Sequence, residues 1–217
     1  MKRYDAYLFD LDGTLVDTAP DLTAALNQAL SRAGFPCVDD TLTRHWIGHG
    51  ARVMVEQALA HLQGPAERID ALCETFLEHY QGNVAIHSRP YPGVTETLAA
   101  LRDDGARLAV VTNKRAAFSV PLLNALDLSG YFQSIVCGDT APRPKPAPDP
   151  ALHACAELGL TPAQVLFVGD STTDVECARA AGCDVVCVAD GYNHGIPPTQ
   201  LGADAVIGSF LELLDRR

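Results

Sequence analysis

From residue 94 onward the chain alternates short, almost wholly apolar runs with segments of helical periodicity. The runs are Leu108-Ala109-Val110-Val111-Thr112, Ser134-Ile135-Val136-Cys137, Val165-Leu166-Phe167-Val168, Asp184-Val185-Val186-Cys187-Val188 and Ala205-Val206-Ile207. Helical patterns cover 94–103, 115–126, 150–158 and 172–181, with Pro121 expected near the start of its helix or at a kink. Strands that are apolar along their whole length are buried on both faces, and the intervening helices supply both covers. The pattern predicts an α/β fold: a Rossmann-like parallel sheet with helices on both faces.

An earlier apolar run, Ala6-Tyr7-Leu8-Phe9, reads as a further strand of that sheet. The segment from Thr18 to about residue 85 has a different character. Thr18-Ala19-Pro20-Asp21 is a helix start, and Leu22, Ala25, Leu26, Ala29, Leu30 and Ala33 recur at helical spacing until Gly34. A second helix follows Gly48-His49-Gly50 and closes at Gly64-Pro65. A third places Ile69, Leu72, Cys73, Phe76, Leu77 and Tyr80 on one face and ends near Gly82. No strand is expected among them, and Arg89-Pro90-Tyr91-Pro92-Gly93 reads as a hinge or linker. The expected organisation is a catalytic core from 1–17 and 86–217, with a helical cap at 18–85 inserted after the first strand.

Composition narrows the function classes. A formal charge of −11 disfavours nucleic acid and anionic membranes as partners, yet a local positive site for a small anion remains compatible with it. The 7 cysteines include no CxxC pair, so free thiols in a reducing compartment are expected rather than a disulfide framework. Asp5 and Asp10 interrupt any signal-peptide core, and no apolar run approaches the roughly 20 residues of a membrane span. A cytoplasmic monomer or homodimer is the expectation.

In open α/β sheets, ligands bind beyond the carboxyl ends of the strands. The first strand runs into Asp10-Leu11-Asp12-Gly13-Thr14. The strand at 108–112 ends on Thr112-Asn113-Lys114. The strand at 134–137 leads through Gly138-Asp139-Thr140 to Lys145 in Arg143-Pro144-Lys145-Pro146. The strand at 165–168 is followed by Gly169-Asp170-Ser171-Thr172-Thr173-Asp174. Any one of these is an ordinary turn or helix cap. Together they place Asp10, Asp12, Asp170 and Asp174 at one edge, with Thr112, Asn113 and Lys145 as donors and positive charge. Several carboxylates in one cleft require a cation, and an all-oxygen donor set points to a hard ion, Mg²⁺ before others. An ionised aspartate is a competent nucleophile toward phosphorus, and a second carboxyl two residues on is placed to move the proton.

This ordered set of four motifs, spanning nearly the whole chain, resembles the haloacid dehalogenase-like hydrolase superfamily, and the inserted helices resemble its small α-helical cap. The resemblance implies Asp10 as the nucleophile forming an aspartyl-phosphate and Asp12 as the general acid/base. It implies Thr112 and Lys145 around the phosphoryl group, beside Asn113, with Lys145 also restraining the nucleophile. Mg²⁺ would be held by Asp10, Asp170 and the backbone carbonyl of Asp12, with Asp174 supporting it. The presence of Asp12 disfavours carbon–halogen chemistry.

Within the superfamily, Ile47-Gly48-His49-Gly50-Ala51, Arg89-Pro90-Tyr91-Pro92-Gly93-Val94, Val111-Thr112-Asn113-Lys114, Gly138-Asp139-Thr140 and Gly191-Tyr192-Asn193-His194-Gly195 are similar to stretches of bacterial phosphoglycolate phosphatases. That implies 2-phosphoglycolate as the small anionic substrate. Two positions depart from the pattern: Thr173 stands where an asparagine is usual, and the lysine loop reads Arg143-Pro144-Lys145-Pro146. In the cap, the loop from Arg44 to Arg52 is the candidate selector of the leaving group. Its two glycines can offer free amides at a helix start, and His49 or Arg52 can offer charge. The alternatives are a phosphatase for another small ester or pyrophosphate, a sugar phosphomutase, and a noncatalytic binding protein. A nucleotide-binding Rossmann enzyme is disfavoured, because no GxGxxG follows the first strand.

Overall fold

The structure is a computed structural model that describes residues 3–216. Strand β1 (Ala6–Phe9) enters the sheet, and β2 (Val16–Asp17) leaves it. Four helices follow: α1 (Ala19–Arg32), α2 (Asp40–Arg44), α3 (Ala51–His61) and α4 (Ile69–Gln81). The chain returns through β3 (Arg89–Pro90) and α5 (Val94–Asp103). It then alternates through β4 (Arg107–Val111), α6 (Ala116–Ala125), β5 (Ser134–Val136), α7 (Asp149–Leu158) and β6 (Val165–Gly169). Helix α8 (Thr172–Ala181), β7 (Asp184–Val188) and β8 (Ala205–Ile207) complete the alternation.

The main sheet has six strands in the order β5-β4-β1-β6-β7-β8, paired in parallel throughout. The expected parallel α/β sheet is therefore present. Its order places β1 between β4 and β6, so the connections run outward to opposite sides of the first strand. That reversal opens a crevice beyond the carboxyl end of β1.

The alternation of side chains along β1 sorts the two faces. Tyr7 and Phe9 join a cluster with Leu98 and Leu101 of α5, Leu122 of α6, and Phe210 and Leu213 near the C-terminus. Ala6 and Leu8 join a second cluster with Ala151 and Cys155 of α7 and Ala178 of α8. Helices thus cover both faces. The first cluster continues without a break into the inserted helices through Leu26, Leu59, Leu72 and Tyr80. All seven cysteines are free thiols, and no helix among the described residues is long and apolar enough to cross a membrane.

The structure adds two features to the sequence reading. Helix α2 is one short segment of five residues, capped by the Asp39 side chain accepting from the Leu42 amide at 2.7 Å. Five residues are too few to display a hydrophobic period. The other is an antiparallel ribbon of β2 with β3, pairing Val16 with Pro90 and Asp17 with Arg89. The stretch read as a linker thus carries one of the ribbon's strands, and two-residue strands leave no alternation to read. Pro121 lies inside α6 rather than near its start.

Both passages between the sheet and the helical segment run through this ribbon, and a buried carboxylate ties them together. Asp21, on the first turn of α1, is 2% exposed. It accepts from the backbone amides of His87 and Ser88 at 2.8–3.0 Å and from the Ser88 hydroxyl at 2.7 Å. Three donors bound to one desolvated acceptor lose their partner together if the carboxylate is removed. Asp21→Ala is expected to destabilise the protein by about 2–4 kcal/mol, read as a lowered urea midpoint.

Candidate active site

The carboxyl ends of β1, β4 and β6 and the loop after β5 bring Asp10, Thr112, Lys145, Asp170 and Asp174 to one place. The Asp10 amide donates to the Val168 carbonyl at 2.9 Å, which fixes the first residue beyond β1 against the end of β6. Asp10, Asp170 and Asp174 are all buried, and each offers an oxygen within 4.8 Å of the others. Lys145 lies among them and is 4% exposed. Its ammonium is 2.7 Å from Asp10 Oδ1, an ion pair outside hydrogen-bond geometry, and it donates to Asp174 Oδ1 at 2.7 Å and the Val111 carbonyl at 2.9 Å.

One lysine does not balance three carboxylates, and the electrostatics reflect it. Burial pushes Asp10 up to about 7, against the lowering pull of Lys145. Burial, then the charges of Asp174 and Asp10, push Asp170 well above the usual carboxylate range. Burial also acts on Asp174, but Lys145 and the Ser171 hydroxyl outweigh it and hold that carboxyl below its ordinary value. For Lys145, desolvation is outweighed by Asp10 and Asp174, so its ammonium is held above the ordinary lysine value. A buried all-oxygen set with excess negative charge suits a hard divalent cation.

The oxygens of Asp174 are already engaged. Oδ1 takes Lys145, while Oδ2 accepts from the Asp170 and Ser171 amides and the Ser171 hydroxyl. Asp170 is oriented by the Thr14 hydroxyl, donating to Oδ1 at 2.6 Å, and by the Tyr192 amide, donating to Oδ2 at 2.6 Å. The approach of Tyr192 and Asp170 to the first turn explains Gly13. Its φ is +85°, and a Cβ there would lie 2.5 Å from Asp170 Oδ2 and 2.7 Å from the Tyr192 ring.

Asp12 stands in a different environment from Asp10. Lys114 donates to its two oxygens at 3.0 and 3.1 Å, and the Thr18 hydroxyl donates to Oδ1 at 2.8 Å. Two carboxylates two residues apart are thus held by different lysines. Thr112 is buried at the end of β4, where its hydroxyl accepts from the Lys114 amide at 3.2 Å. The Asn113 side chain joins two loops: it donates to the carbonyls of Gly48 and Lys145 and accepts from the Lys145 amide.

A cavity of about 380 Å³ opens between the sheet edge and the inserted helices. Asp10, Asp12, Thr112, Asn113 and Lys114 line it from the sheet side, and Leu22, Ile47, His49, Met54, Leu77 and Tyr80 from the helical side. Arg52 also lines it, but its side chain is 61% exposed and its guanidinium pairs with Glu56 at 3.0 Å and Asp70 at 2.7 Å. The His49 ring stacks on His194 at 4.8 Å, across the gap between the helical loop and the sheet.

Comparison with known proteins shows the family. The family model described as haloacid dehalogenase-like hydrolase matches residues 7–188. The chain belongs to the haloacid dehalogenase-like hydrolases. It is 42% identical over 216 residues to a phosphoglycolate phosphatase of Nitrosococcus oceani, covering 98% of this chain and 96% of that one. It is 40% identical to an N-acetylmuramic acid 6-phosphate phosphatase of Pseudomonas aeruginosa, covering 98% and 94%. A crystal structure described as a predicted phosphoglycolate phosphatase from Haemophilus somnus superposes with a TM-score of 0.93 at 36% identity, over 100% of this chain and 99% of that one.

Four residues of this haloacid dehalogenase-like hydrolase were absent from the candidate set. Lys114 was visible in Thr112-Asn113-Lys114, but nothing local tied it to Asp12, 102 residues away. Thr14 and Tyr192 act on Asp170 from the first turn and from a loop after β7. Thr18 follows the ribbon strand β2.

The shift at Asp10 has a pH signature. Between its ordinary value of 3.8 and about 7, the folded protein holds a proton there that the unfolded chain releases. Stability then falls as pH rises through that window. In chelator, Asp10→Asn is expected to flatten the decline of the urea midpoint from about pH 5 to about pH 8 relative to the unaltered protein.

Proposed function

We propose that the protein is a Mg²⁺-dependent phosphomonoesterase that hydrolyses a small phosphate ester, with 2-phosphoglycolate as substrate, through an aspartyl-phosphate on Asp10. The observation that carries the reading is the separation of two neighbouring carboxylates into two environments. Asp10 sits with Asp170, Asp174 and Lys145, while Asp12 sits on Lys114 and Thr18, and both face one cavity. A noncatalytic binding site needs no such division. The full-length likeness to phosphatases supports the same reaction class.

In this reading Asp10, Asp170 and the Asp12 backbone carbonyl hold Mg²⁺, which supplies charge neutralisation for a phosphoryl group at the site. Asp174, with its oxygens engaged, fixes Lys145 and the turn around Asp170 instead of taking a place of its own on the metal. Asp10 attacks phosphorus, and the P–O bond to the leaving group breaks as Asp12 gives that oxygen its proton. Asp12 then takes a proton from water, which attacks the aspartyl-phosphate, releasing inorganic phosphate and regenerating Asp10. Lys145 restrains the nucleophile and, with the Thr112 hydroxyl and the amides of the Asn113 loop, binds the phosphoryl oxygens. Residues 18–85 form the cap, and its loop around Gly48-His49-Gly50 closes the cavity over the leaving group.

Asp10→Asn is expected to lower Mg²⁺-dependent phosphate release by at least about 10³-fold while the protein remains folded by circular dichroism. Substantial turnover by that variant refutes the assignment of the nucleophile. The substrate is tested by phosphate release across 2-phosphoglycolate, N-acetylmuramic acid 6-phosphate, sugar phosphates, nucleotides and pyrophosphate. The highest kcat/KM is expected for 2-phosphoglycolate.

A further inference from the structure

The cavity contains three long-chain cations, and their surroundings differ. Arg52 is largely exposed and engaged by Glu56 and Asp70. Arg115 is 64% exposed and lies 3.6 Å from Asp139. Lys114 is only 5% exposed at its side chain, and its ammonium donates to a single carboxylate, that of Asp12. An ammonium has three N–H donors. The ammonium also lies 4.7 Å from the centroid of the Tyr80 ring and interacts with the buried Tyr80 hydroxyl, which has no other polar partner among the described residues. Lys114 comes from the sheet edge and Tyr80 from α4, so this polar corner is assembled from both sides of the cavity. Leu22, Ile47, Met54 and Phe118 supply apolar lining elsewhere.

We infer that Lys114 and Tyr80 form the subsite for the carboxylate on the leaving group. The inference rests on the phosphatase reading and deepens it. If Asp12 gives its proton to the leaving oxygen, that oxygen must come within hydrogen-bond reach of Asp12. In a 2-hydroxy acid the carboxylate carbon is two bonds from the leaving oxygen, so its oxygens lie about 3 Å from it. An ammonium 3.0 Å from Asp12 is therefore within reach of that carboxylate. The low-dielectric lining strengthens the charge pair and makes an unpaired carboxylate costly elsewhere in the cavity. A neutral leaving group would bring no anion to the Lys114–Tyr80 pair, whose buried charge is then answered by Asp12 alone.

The test compares 2-phosphoglycolate with 2-hydroxyethyl phosphate, which replaces the carboxylate by a neutral hydroxymethyl group at nearly equal size. With Mg²⁺ present, the unaltered enzyme is expected to favour 2-phosphoglycolate in kcat/KM on the order of 10²-fold or more. In Lys114→Met the preference should collapse to below about tenfold, with most of the loss on 2-phosphoglycolate. If Lys114 serves only to position Asp12, both esters slow together and the ratio survives, which overturns the subsite. Tyr80→Phe should lower the ratio by about 3–10-fold with little change on 2-hydroxyethyl phosphate. An unchanged ratio there overturns the part assigned to Tyr80. If Lys114→Met does not fold, the ratio of the unaltered enzyme and its fall in Tyr80→Phe decide the matter. An unaltered enzyme that turns over both esters equally refutes the subsite and leaves the phosphatase reading standing. Turnover of neither ester refutes the assignment of 2-phosphoglycolate as substrate, and the subsite falls with it.

Discussion

The position of the Lys145 ammonium is the constraint on which the site depends. It lies at 2.7 Å from both Asp10 and Asp174 and also binds the Val111 carbonyl. The loop after β5 is thereby held to the ends of β1 and β4 and to the first turn of α8. Without that charge, buried carboxylates on adjacent strand ends would repel one another and draw the sheet edge apart. With it, the set still carries surplus negative charge, so the same arrangement that stabilises the edge also prepares it for a cation.

From this centre the support spreads outward in two directions. Asp174 links Lys145 to the start of α8 through Ser171. Asp170 links it to Tyr192, whose hydroxyl accepts from the Thr18 and Ala19 amides and donates to Asp17 Oδ1 at 2.5 Å. Asp17 in turn pairs with Arg44 of α2 at 2.9 Å. One tyrosine thus has its backbone on a carboxylate of the site and its hydroxyl on the ribbon leading to the inserted helices. The Asp170 carboxylate and the entry to the helical segment share a fixed reference.

Much of this was legible before any coordinates. The apolar runs 108–112, 165–168 and 184–188 announced the parallel sheet because their burial leaves no polar face. Asp10, Asp170 and Lys145 were readable because each follows a strand end within a few residues, and a parallel sheet gathers such ends. The unread parts have a common physical cause. The bond from Thr14 to Asp170 joins residues 156 apart, and that from the Thr18 amide to Tyr192 joins residues 174 apart. Nothing in a local pattern encodes such partners. Asn113 was assigned by its position beside Thr112, whereas its side chain joins the Gly48 and Lys145 loops. The ribbon of β2 and β3 escaped because its stability comes from pairing across the insertion, not from alternation within either strand.

The unbroken apolar cluster shared by the sheet and the inserted helices has a thermal consequence. Tyr80 of α4 meets Phe118 of α6 with ring centres 5.4 Å apart, inside a contact region that spans both bodies. Any swing of α1–α4 away from the sheet brings this surface into water. Such exposure carries a positive heat-capacity increment. The burial that opposes such a swing has an entropic origin near room temperature and weakens on cooling. A catalytic rate limited by such a swing would therefore give a curved Arrhenius plot.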